Sequence, residues 1–369
     1  MIQIQDDDLN AARAEAEAVL AAWGLSTAEA QVVGAVPGMA GSILRPVVEV
    51  DGQRYLVRWQ SPELTEADLR FRHAFMAHLR DAGLPVPGLL ARPDGVTHAI
   101  TDNGLYEVQE WLDGRQFASE DAAGEAELES AARTLSKLHQ ASATFQWQPY
   151  RWPEDRSADG LARSYIALIH QAAQREEASV AVRSGLTRIA EACEGRREAA
   201  ASALATEPAP PQLHIHGDYQ AHNLRFGASK VSAIYDFDAA RWDTRLLELA
   251  YSLLYFTGVR WDDAFSPTPP LVDDGLDILR VHRYLGAYGR EAPPAEGEAP
   301  LLADALALVF PIIFVNGIAE DLVFPDEFEA SADGDEEEAA LSRLHWADTF
   351  WLWLDRYRET IAQAWENAS

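Results

Sequence analysis

A short polar loop between two apolar runs is the feature that most constrains the fold of this 369-residue chain. The segment Leu213–Phe226, LHIHGDYQAHNLRF, presents a His-Gly-Asp sequence and then Asn223, five positions after Asp218. A second apolar run soon ends on Asp236 and Asp238. Two short strands arranged in this way are predicted to bring carboxylates and a carboxamide to one end of a small β element.

The chain before this element is predicted to be rich in strands. It contains a helical pattern over residues 9–23, two strands joined at Asp51 and Gly52, a second helix over residues 65–82 and two further short strands. Thr65 and Asp68 form a predicted capping box at the start of the second helix. We therefore expect a small, mainly antiparallel sheet with one large helix packed on it.

The sequence becomes helical from Glu127 onward, apart from the element that carries the polar loop. At least four more helices are predicted after Arg245. The predicted fold class is therefore α+β, with one domain over residues 1–112 and a larger, mainly helical domain over residues 113–369.

Composition excludes several classes of function. Asp and Glu total 59 against 30 Lys and Arg, and the formal net charge of −29 would repel nucleic acid phosphates. Cys193 is the only cysteine, which excludes an intramolecular disulfide and favours a reducing, cytoplasmic location. No apolar stretch is expected to reach the roughly 18 to 20 residues that cross a bilayer, and the acidic N-terminus is unlike a signal peptide, so no membrane partner is expected.

The residue types of the loop suit phosphoryl transfer from a nucleotide to a hydroxyl group. That reaction needs a carboxylate that orients the hydroxyl and accepts its proton, together with oxygen ligands for a Mg²⁺ ion at the phosphates. Asp218, Asn223 and Asp236 provide such a set. An isolated Asp or Asn is equally compatible with turn formation, but the combination and its spacing favour the catalytic interpretation.

The sequence resembles the aminoglycoside phosphotransferase and choline kinase-like group of small-molecule kinases, which share the protein kinase fold. The strongest stretch is HIHGDYQAHNLRFGASKVSAIYDFDAARWDTRLLELAYSL, and YLVRW, LRDAGLPVP, YEVQEWLDG and TLSKLH give weaker support along nearly the whole chain. The resemblance implies a bilobal fold in which residues 1–112 bind the nucleotide and residues 113–369 hold the catalytic loop and the acceptor pocket. It also implies that the protein uses ATP and Mg²⁺.

Carried over to the matching positions, the resemblance implies roles for the loop residues. Asp218 is the implied catalytic base, and Asn223 and Asp236 are the implied Mg²⁺ ligands. His216 is expected to brace the loop. For Asp238 three roles stay open, namely an anchor for the metal ligand, a contact to the substrate and a loop cap.

The nucleotide contacts are implied in the same way. Arg58 occupies the place of a basic residue that reaches the α and β phosphates, and its guanidinium group suits phosphate. The alternative is an outward-facing arginine on an exposed strand. A glycine-rich loop over residues 34–42 is expected to cover the phosphates, and the strand end at residues 109–112 to bond adenine through its backbone. The residues concerned are Gly34, Gly38 and Gly41 in the loop and Gln109, Glu110, Trp111 and Leu112 in the strand end.

One position departs from the family pattern. The large N-terminal helix usually carries a glutamate that pairs with the basic residue, but the register puts this position near Arg72, and Glu66 and Asp68 lie roughly one to two turns earlier. Either the register differs, or the pairing is made differently, or nucleotide affinity is weakened. Glu248, in the helix after the second aspartate pair, is expected to anchor the catalytic loop.

The predicted reaction is the ATP- and Mg²⁺-dependent phosphorylation of a hydroxyl group on a small metabolite. The resemblance favours an amino alcohol or hydroxy amino acid such as homoserine or choline, and an aminoglycoside or a sugar is the alternative. A different class of function is a kinase fold that has lost catalysis and binds nucleotide as a regulator. The intact loop residues favour the enzyme.

Overall fold

The computed structural model of the chain describes residues 6–26, 29–37, 44–60, 64–101, 104–119, 124–147, 157–206, 208–261, 270–325 and 336–368. The chain forms two compact units. The first comprises residues 1–113 and 233–235, and the second comprises residues 114–232 and 236–369. The assignment of nucleotide binding to residues 1–112 and of catalysis to residues 113–369 stays a prediction.

The first unit is built on a five-stranded antiparallel sheet. Its elements are α1 (Asp6–Ala21), β1 (Ala30–Pro37), β2 (Leu44–Val50), β3 (Gln53–Gln60), α2 (Glu66–Asp81), β4 (His98–Thr101) and β5 (Gly104–Glu110). The strand order is β1-β2-β3-β5-β4. Because β5 pairs with β3, Glu107 lies directly opposite Arg58. Residues that face each other in this way share one side of the sheet.

Helices contact both faces of this sheet, whereas the sequence predicted one packed helix. Helix α1 and the residues after it pack Leu20 and Trp23 against Val57 and Val108 of the sheet. Helix α2 contacts the other face, where its His73 reaches Glu107. The capping box of α2 is present as predicted, with Thr65 and Asp68 bonded to each other.

Part of the segment that the sequence predicts as a glycine-rich loop is a strand, since residues 34–37 belong to β1. Gly34 lies where the pairing of β1 with β2 shifts register, and it retains a negative φ. Gly38 and Gly41 lie outside the described residues. The turn after β2 is as predicted, since Asp51 and Gly52 have φ of 50° and 77°.

The second unit is mainly helical and carries four short strands around the polar loop. The elements in chain order are α3 (Gly124–Ser142), α4 (Ala158–Ala172), α5 (Val180–Leu204), β6 (Gln212–Ile215), β7 (Leu224–Gly227), β8 (Lys230–Ile234), β9 (Arg241–Thr244), α6 (Arg245–Thr257), α7 (Ile278–Gly289), α8 (Leu302–Ile313), α9 (Glu320–Val323) and α10 (Glu336–Glu366). Strand β6 pairs with β9, and β7 pairs with β8. The polar loop lies between β6 and β7, as predicted. Strand β8 ends within the short segment that belongs to the first unit.

A π-helical turn interrupts the helical segment that begins at Leu302. Helix α8 ends at Ile313, the chain forms a π-helical turn over Phe314–Ile318, and the short helix α9 follows. π-Helical turns are rare and occur frequently at functional sites. This turn therefore belongs among the candidate functional segments.

One segment contradicts the expectation that no stretch is long and apolar enough to cross a membrane. Residues Ala299–Ile318 meet that criterion by length and composition. However, 78% of this segment is buried inside the protein. The ring of Phe310, for example, lies 4.4 Å from that of Phe350 and 4.6 Å from that of Trp351. Packing in the core accounts for its apolar character.

Candidate functional site

The polar loop, residues 216–223, follows a path that only glycine can take at one position. Gly217 has a φ of +84°, and an added Cβ atom there would lie 2.1 Å from the carbonyl oxygen of Ala239. Both the backbone conformation and the close approach exclude a side chain. The buried ring of His216 accepts a hydrogen bond from the backbone amide of Asp218 through Nδ1 at 3.2 Å.

Glu248 anchors the loop from helix α6, as the sequence predicts. Its Oε1 accepts a hydrogen bond from the Gly217 amide at 2.6 Å, and its Oε2 accepts one from the His216 amide at 3.2 Å. His139 Nε2 lies 2.8 Å from Oε2, and the Tyr288 hydroxyl lies 2.7 Å from the other ring nitrogen. Burial alone would raise the pKa of Glu248, but the hydrogen bonds from His139 and Gly217 outweigh it and lower that pKa. The carboxylate is therefore ionised and holds the loop.

The Asp218 carboxylate accepts three hydrogen bonds. The Tyr251 hydroxyl donates to Oδ1 at 2.5 Å, and the side-chain amide of Gln220 donates to the same oxygen at 3.0 Å. The Asn223 side-chain amide donates to Oδ2 at 2.7 Å. A carboxylate oxygen can accept about two hydrogen bonds. Among the described residues, these bonds fill Oδ1 and leave one acceptor position on Oδ2.

Two effects raise the pKa of Asp218 to about 6. Burial is the larger one, and the negative charge of Asp236 adds to it, while the hydrogen bonds from Tyr251 and Asn223 oppose them. The two carboxylates are therefore close enough to repel each other. A carboxylate whose pKa lies near neutrality is suited to accept a proton in a reaction at neutral pH.

Asp236 has a left-handed backbone conformation, with φ of 63° and ψ of 68°. A residue other than glycine in this region costs on the order of 1 kcal/mol, and such conformations cluster at functional sites. Asp238, two positions later, has an exposed side chain. Its three possible roles stay open.

The donor set beside Asp218 fits a magnesium ion. The Asn223 side-chain nitrogen donates to both the backbone oxygen and Oδ2 of Asp218, so its carbonyl oxygen is the atom that can act as a ligand. The described residues contain no group of three His, Cys, Asp or Glu side chains that could hold a metal. Mg²⁺ does not need such a group, because it is usually bound through one or two carboxylates together with substrate phosphates.

Arg58 pairs with an acid from a neighbouring strand, which resolves the departure from the family pattern. The side chain is only 3% exposed, and its Nη1 lies 3.2 Å from Oε1 of Glu107. His73 of helix α2 reaches the same acid, with Nε2 2.8 Å from Oε2. Its other ring nitrogen lies 2.6 Å from the Thr97 hydroxyl. The structure therefore contradicts the alternative of an outward-facing arginine, whereas the phosphate contact of Arg58 stays a prediction.

The strand end that is predicted to bond adenine has its amide groups occupied. The amides of Glu110 and Trp111 donate to the carbonyl oxygens of Gly88 and Arg54. The amide of Leu112 donates to the Tyr235 hydroxyl at 2.6 Å. Gln109 donates through its side chain to Glu107 at 2.6 Å. Adenine could therefore use the amides of residues 110–112 only by displacing these partners.

Sequence reasoning missed two residues at this site. Tyr251 lies three positions after Glu248 in α6, so the two share a helix face that points at the polar loop, and this spacing could have revealed it. Gln220 lies inside the loop itself, but nothing in its spacing distinguishes it from an exposed polar residue.

A surface groove of about 530 Å³ lies elsewhere in the second unit, between α7 and α10. Its lining includes His282, Arg290, Thr360 and Gln363 but no carboxylate. The groove therefore lacks the carboxylate that orients the acceptor hydroxyl in phosphoryl transfer, and the polar loop is the stronger candidate site.

The chain is also similar to known proteins. The model of the phosphotransferase enzyme family (APH) matches residues 44–293. A homoserine kinase of Bradyrhizobium sp. (strain BTAi1 / ATCC BAA-1182) is 25% identical over 246 residues. The match covers 66% of this chain and 66% of that kinase, so it spans just under two thirds of the relative.

Solved structures of small-molecule kinases have the same fold. A microcompartment-associated aminopropanol kinase has a TM-score of 0.60 and 13% identity, with 96% of this chain and 98% of that chain covered. The amicoumacin kinase hAmiN, in complex with AMP-PNP, Ca²⁺ and Ami, has a TM-score of 0.58 and 13% identity, with 97% and 96% covered. Likeness at these identities shows the fold alone. The predicted α+β, protein kinase-like fold is thereby confirmed.

Proposed function

The chain belongs to the phosphotransferase enzyme family and is a small-molecule kinase, and on this premise we propose that it transfers the γ-phosphoryl group of ATP to a hydroxyl group with Asp218 as the base. One observation carries the proposal. A carboxylate with a pKa of about 6 lies on a loop that a buried glutamate anchors, and one of its oxygens keeps an acceptor position. The family pattern places the attacking hydroxyl at such a carboxylate.

The reaction follows from this geometry. The acceptor hydroxyl donates a hydrogen bond to Oδ2 of Asp218, which orients its oxygen toward the γ phosphorus of ATP. A bond forms between that oxygen and the phosphorus, and the bond from the phosphorus to the β,γ-bridging oxygen breaks. ADP leaves with the electron pair, and the hydroxyl proton moves to Asp218. The products are a phosphate monoester, ADP and a proton.

Other residues are proposed to hold the nucleotide and the metal. Asn223 and Asp236 supply oxygen ligands for Mg²⁺, which when bound neutralises negative charge on the phosphates. Arg58, held in place by Glu107, contacts the α and β phosphates. The repulsion between Asp218 and Asp236 supports this assignment, because a cation between them relieves it.

The acceptor proposed first is an amino alcohol or a hydroxy amino acid. The names of two similar proteins, a homoserine kinase and an aminopropanol kinase, support this class. An aminoglycoside or a sugar is the alternative acceptor. A regulator that binds nucleotide without turnover is the alternative of a different class.

A panel of acceptors tests the proposed function. Purified protein with Mg²⁺ and ATP is mixed with homoserine, choline, 3-amino-1-propanol, glucose or kanamycin, and ADP release is measured. We expect homoserine, choline or 3-amino-1-propanol to raise ADP release above the rate without acceptor. Binding of ATP without a rise for any acceptor would instead support the regulator.

Tyr251→Phe is expected to shift the acidic limb of the pH profile toward higher pH. The Tyr251 hydroxyl stabilises the ionised form of Asp218, so its loss raises the pKa of the base further above about 6. Because the ionised base is the active form, activity at pH 6 falls more than activity at pH 8. The measurement is kcat/KM for the acceptor between pH 5 and pH 9.

Tyr284→Phe is the matched control for this variant. Tyr284 is also buried, and its hydroxyl bonds Ser252, not Asp218. The control is expected to leave the acidic limb at its wild-type position. An unshifted limb in Tyr251→Phe, or an equal shift in Tyr284→Phe, would contradict the assignment of the limb to Asp218.

A further inference from the structure

Glu107 lies at the centre of a buried polar cluster in the first unit. On strand β5 it faces Arg58 of β3 on one side and His98 of β4 on the other. Its Oε1 accepts a hydrogen bond from Arg58 at 3.2 Å and another from the side-chain amide of Gln109 at 2.6 Å. All four side chains are buried, so water does not compete for these bonds. Glu107 is therefore an acceptor that orients Arg58.

Helix α2 reaches the same carboxylate through His73. The Nε2 atom of His73 lies 2.8 Å from Oε2 of Glu107, and its Nδ1 atom lies 2.6 Å from the Thr97 hydroxyl. An ionised carboxylate can only accept hydrogen bonds, so Nε2 carries the proton and the Thr97 hydroxyl can donate to Nδ1. This tautomer gives both ring nitrogens a partner and adds no positive charge beside Arg58.

The bond from His73 limits the rotation of the Glu107 carboxylate. The terminal torsion of a glutamate side chain is broad, so a carboxylate that is bonded at one oxygen can still turn. In the structure both oxygens are bonded, Oε1 to Arg58 and Oε2 to His73. A guanidinium group is planar, so a bond to a fixed carboxylate also sets the direction of its remaining donors. The contact from α2 therefore acts on Arg58 through Glu107.

We propose that His73 is a positioning residue for the nucleotide, because it orients Glu107 and Glu107 orients Arg58 toward the α and β phosphates. The inference rests on the proposed function, which gives Arg58 this phosphate contact. It goes further in making nucleotide affinity depend on a side chain of α2 that acts through Glu107. Helix α2 is thereby linked to Arg58 by two contacts in series instead of one ion pair.

Two amide substitutions at His73 test the bond to Glu107. In His73→Gln the side-chain nitrogen can occupy the place of Nε2, whereas the shorter side chain of His73→Asn reaches only the place of Nδ1. The Kd for AMP-PNP with Mg²⁺, measured by calorimetry, is expected to stay within twofold in His73→Gln. In His73→Asn it should rise roughly three- to tenfold, as the loss of one hydrogen bond allows. Wild-type affinity in His73→Asn, or an equal loss in both variants, would overturn the inference.

Steady-state kinetics separate positioning of the nucleotide from general damage to the fold. In His73→Asn the KM for ATP should rise by the same factor as the Kd, while kcat and the KM for the acceptor stay within twofold of wild type. A fall in kcat with an unchanged KM for ATP would overturn the inference.

His98→Asn is the matched control, because His98 is a buried histidine on the same face of the sheet. Its Nε2 lies 3.5 Å from Oε1 of Glu66, and its ring centroid lies 6.2 Å from that of His73. The control is expected to lower the Tm as much as His73→Asn does and to leave the Kd for AMP-PNP within twofold. A rise in Kd equal to that of His73→Asn would overturn the inference.

The double substitution Arg58→Gln with Glu107→Gln tests whether His73 acts through this pair. It removes both charges together, so that neither charge of the pair is left buried alone. We expect this variant to bind AMP-PNP more weakly than wild type. Adding His73→Asn to it should change the Kd by less than twofold, because the contacts that His73 orients are already lost. A further loss as large as in the wild-type background would overturn the inference.

Nucleotide binding also separates this inference from the proposed function, because calorimetry with AMP-PNP needs no phosphate transfer. Wild-type affinity in the double variant would contradict the phosphate contact of Arg58, and this inference would fall with it. Weaker binding in the double variant together with unchanged binding in His73→Asn would contradict only the role of His73.

Discussion

Asp218→Asn is expected to lower kcat by about 10²- to 10⁴-fold, the range that a positioned base contributes. The amide has nearly the same shape as the carboxylate but cannot accept the proton of the acceptor hydroxyl. Its neighbours can adapt, because the Tyr251 hydroxyl can turn to accept a hydrogen bond and Asn223 can keep its bond to the remaining oxygen. We therefore attribute the expected loss to chemistry. The measurement is steady-state kcat with a saturating acceptor.

The stability of Asp218→Asn gives an independent check of the raised pKa of Asp218. The pKa of Asp218 is raised from 3.8 to about 6 in the fold, so the folded protein favours the protonated form. The contribution of this group to stability is therefore full below pH 3.8 and is lost as the pH rises toward 6. A neutral Asn avoids that loss, and the Tm of the variant at pH 7 should equal or exceed that of wild type.

Asp274→Asn is the matched control, because it makes the same substitution at an exposed position of the second unit. It should retain wild-type kcat. Nucleotide affinity, measured by calorimetry with AMP-PNP, should change little in either variant. A kcat above one tenth of wild type in Asp218→Asn would contradict the assignment of this residue as the base.

Glu248→Ala is expected to have the second large effect, on both stability and turnover. The substitution leaves His139 and the amides of His216 and Gly217 without their acceptor inside the protein. A buried donor that is left without an acceptor typically costs about 1–3 kcal/mol. The polar loop loses its anchor at the same time, so kcat should fall along with the free energy of unfolding. Urea unfolding and steady-state kinetics measure the two effects.

The stabilising effect of Glu248 depends on pH in a defined direction. The pKa of Glu248 is lowered in the fold, so its contribution is fully present above the ordinary value of 4.5 and is lost as the pH falls through the folded pKa. The loss of stability that wild type shows on acidification should therefore be smaller in Glu248→Ala.

Glu298→Ala is the control for Glu248→Ala, because it separates a loss of stability from a loss of turnover. Glu298 is a buried acid that binds Arg245 at the start of the same helix, with an N–O distance of 2.6 Å, but it does not contact the polar loop. Its loss should lower stability by a comparable amount and leave kcat near wild type at temperatures where the variant is folded. If Glu248→Ala also kept its kcat, the anchoring role of Glu248 would be wrong.

The polar loop could be predicted from the sequence because its information is local. Asp218 and Asn223 are five positions apart on one loop, and Asp236 ends the hairpin that follows, so their proximity needs only short-range geometry. The anchor Glu248 was predicted from its place in the next helix. Contacts within one loop and its flanking elements are therefore accessible to sequence reasoning.

The partner of Arg58 could not be predicted, because it depends on the order of strands in the sheet. Glu107 lies 49 positions away and faces Arg58 only because β5, which is distant in sequence, pairs with the edge of β3 that β2 does not occupy. Strand order is set by the packing of the whole unit, which no local pattern encodes. The same reason explains why residues 34–37 form a strand, since pairing with β2 overrides their glycine-rich composition.

The apolar segment Ala299–Ile318 shows a different limit of prediction from sequence. Its composition suits either a membrane span or a core helix, and only the surrounding helices decide between them. The π-helical turn over Phe314–Ile318 is equally dependent on tertiary structure, because it has no recognisable sequence signature.

The transfer of phosphate from ATP to 3-amino-1-propanol, followed by ³¹P NMR with wild type and Asp218→Asn, tests the central claim most directly. We expect a phosphate monoester signal that grows in step with ADP in wild type and is nearly absent in the variant. Release of ADP and inorganic phosphate without a monoester from this or any other hydroxyl acceptor, or monoester formation at the wild-type rate in Asp218→Asn, would contradict an Asp218-dependent small-molecule kinase.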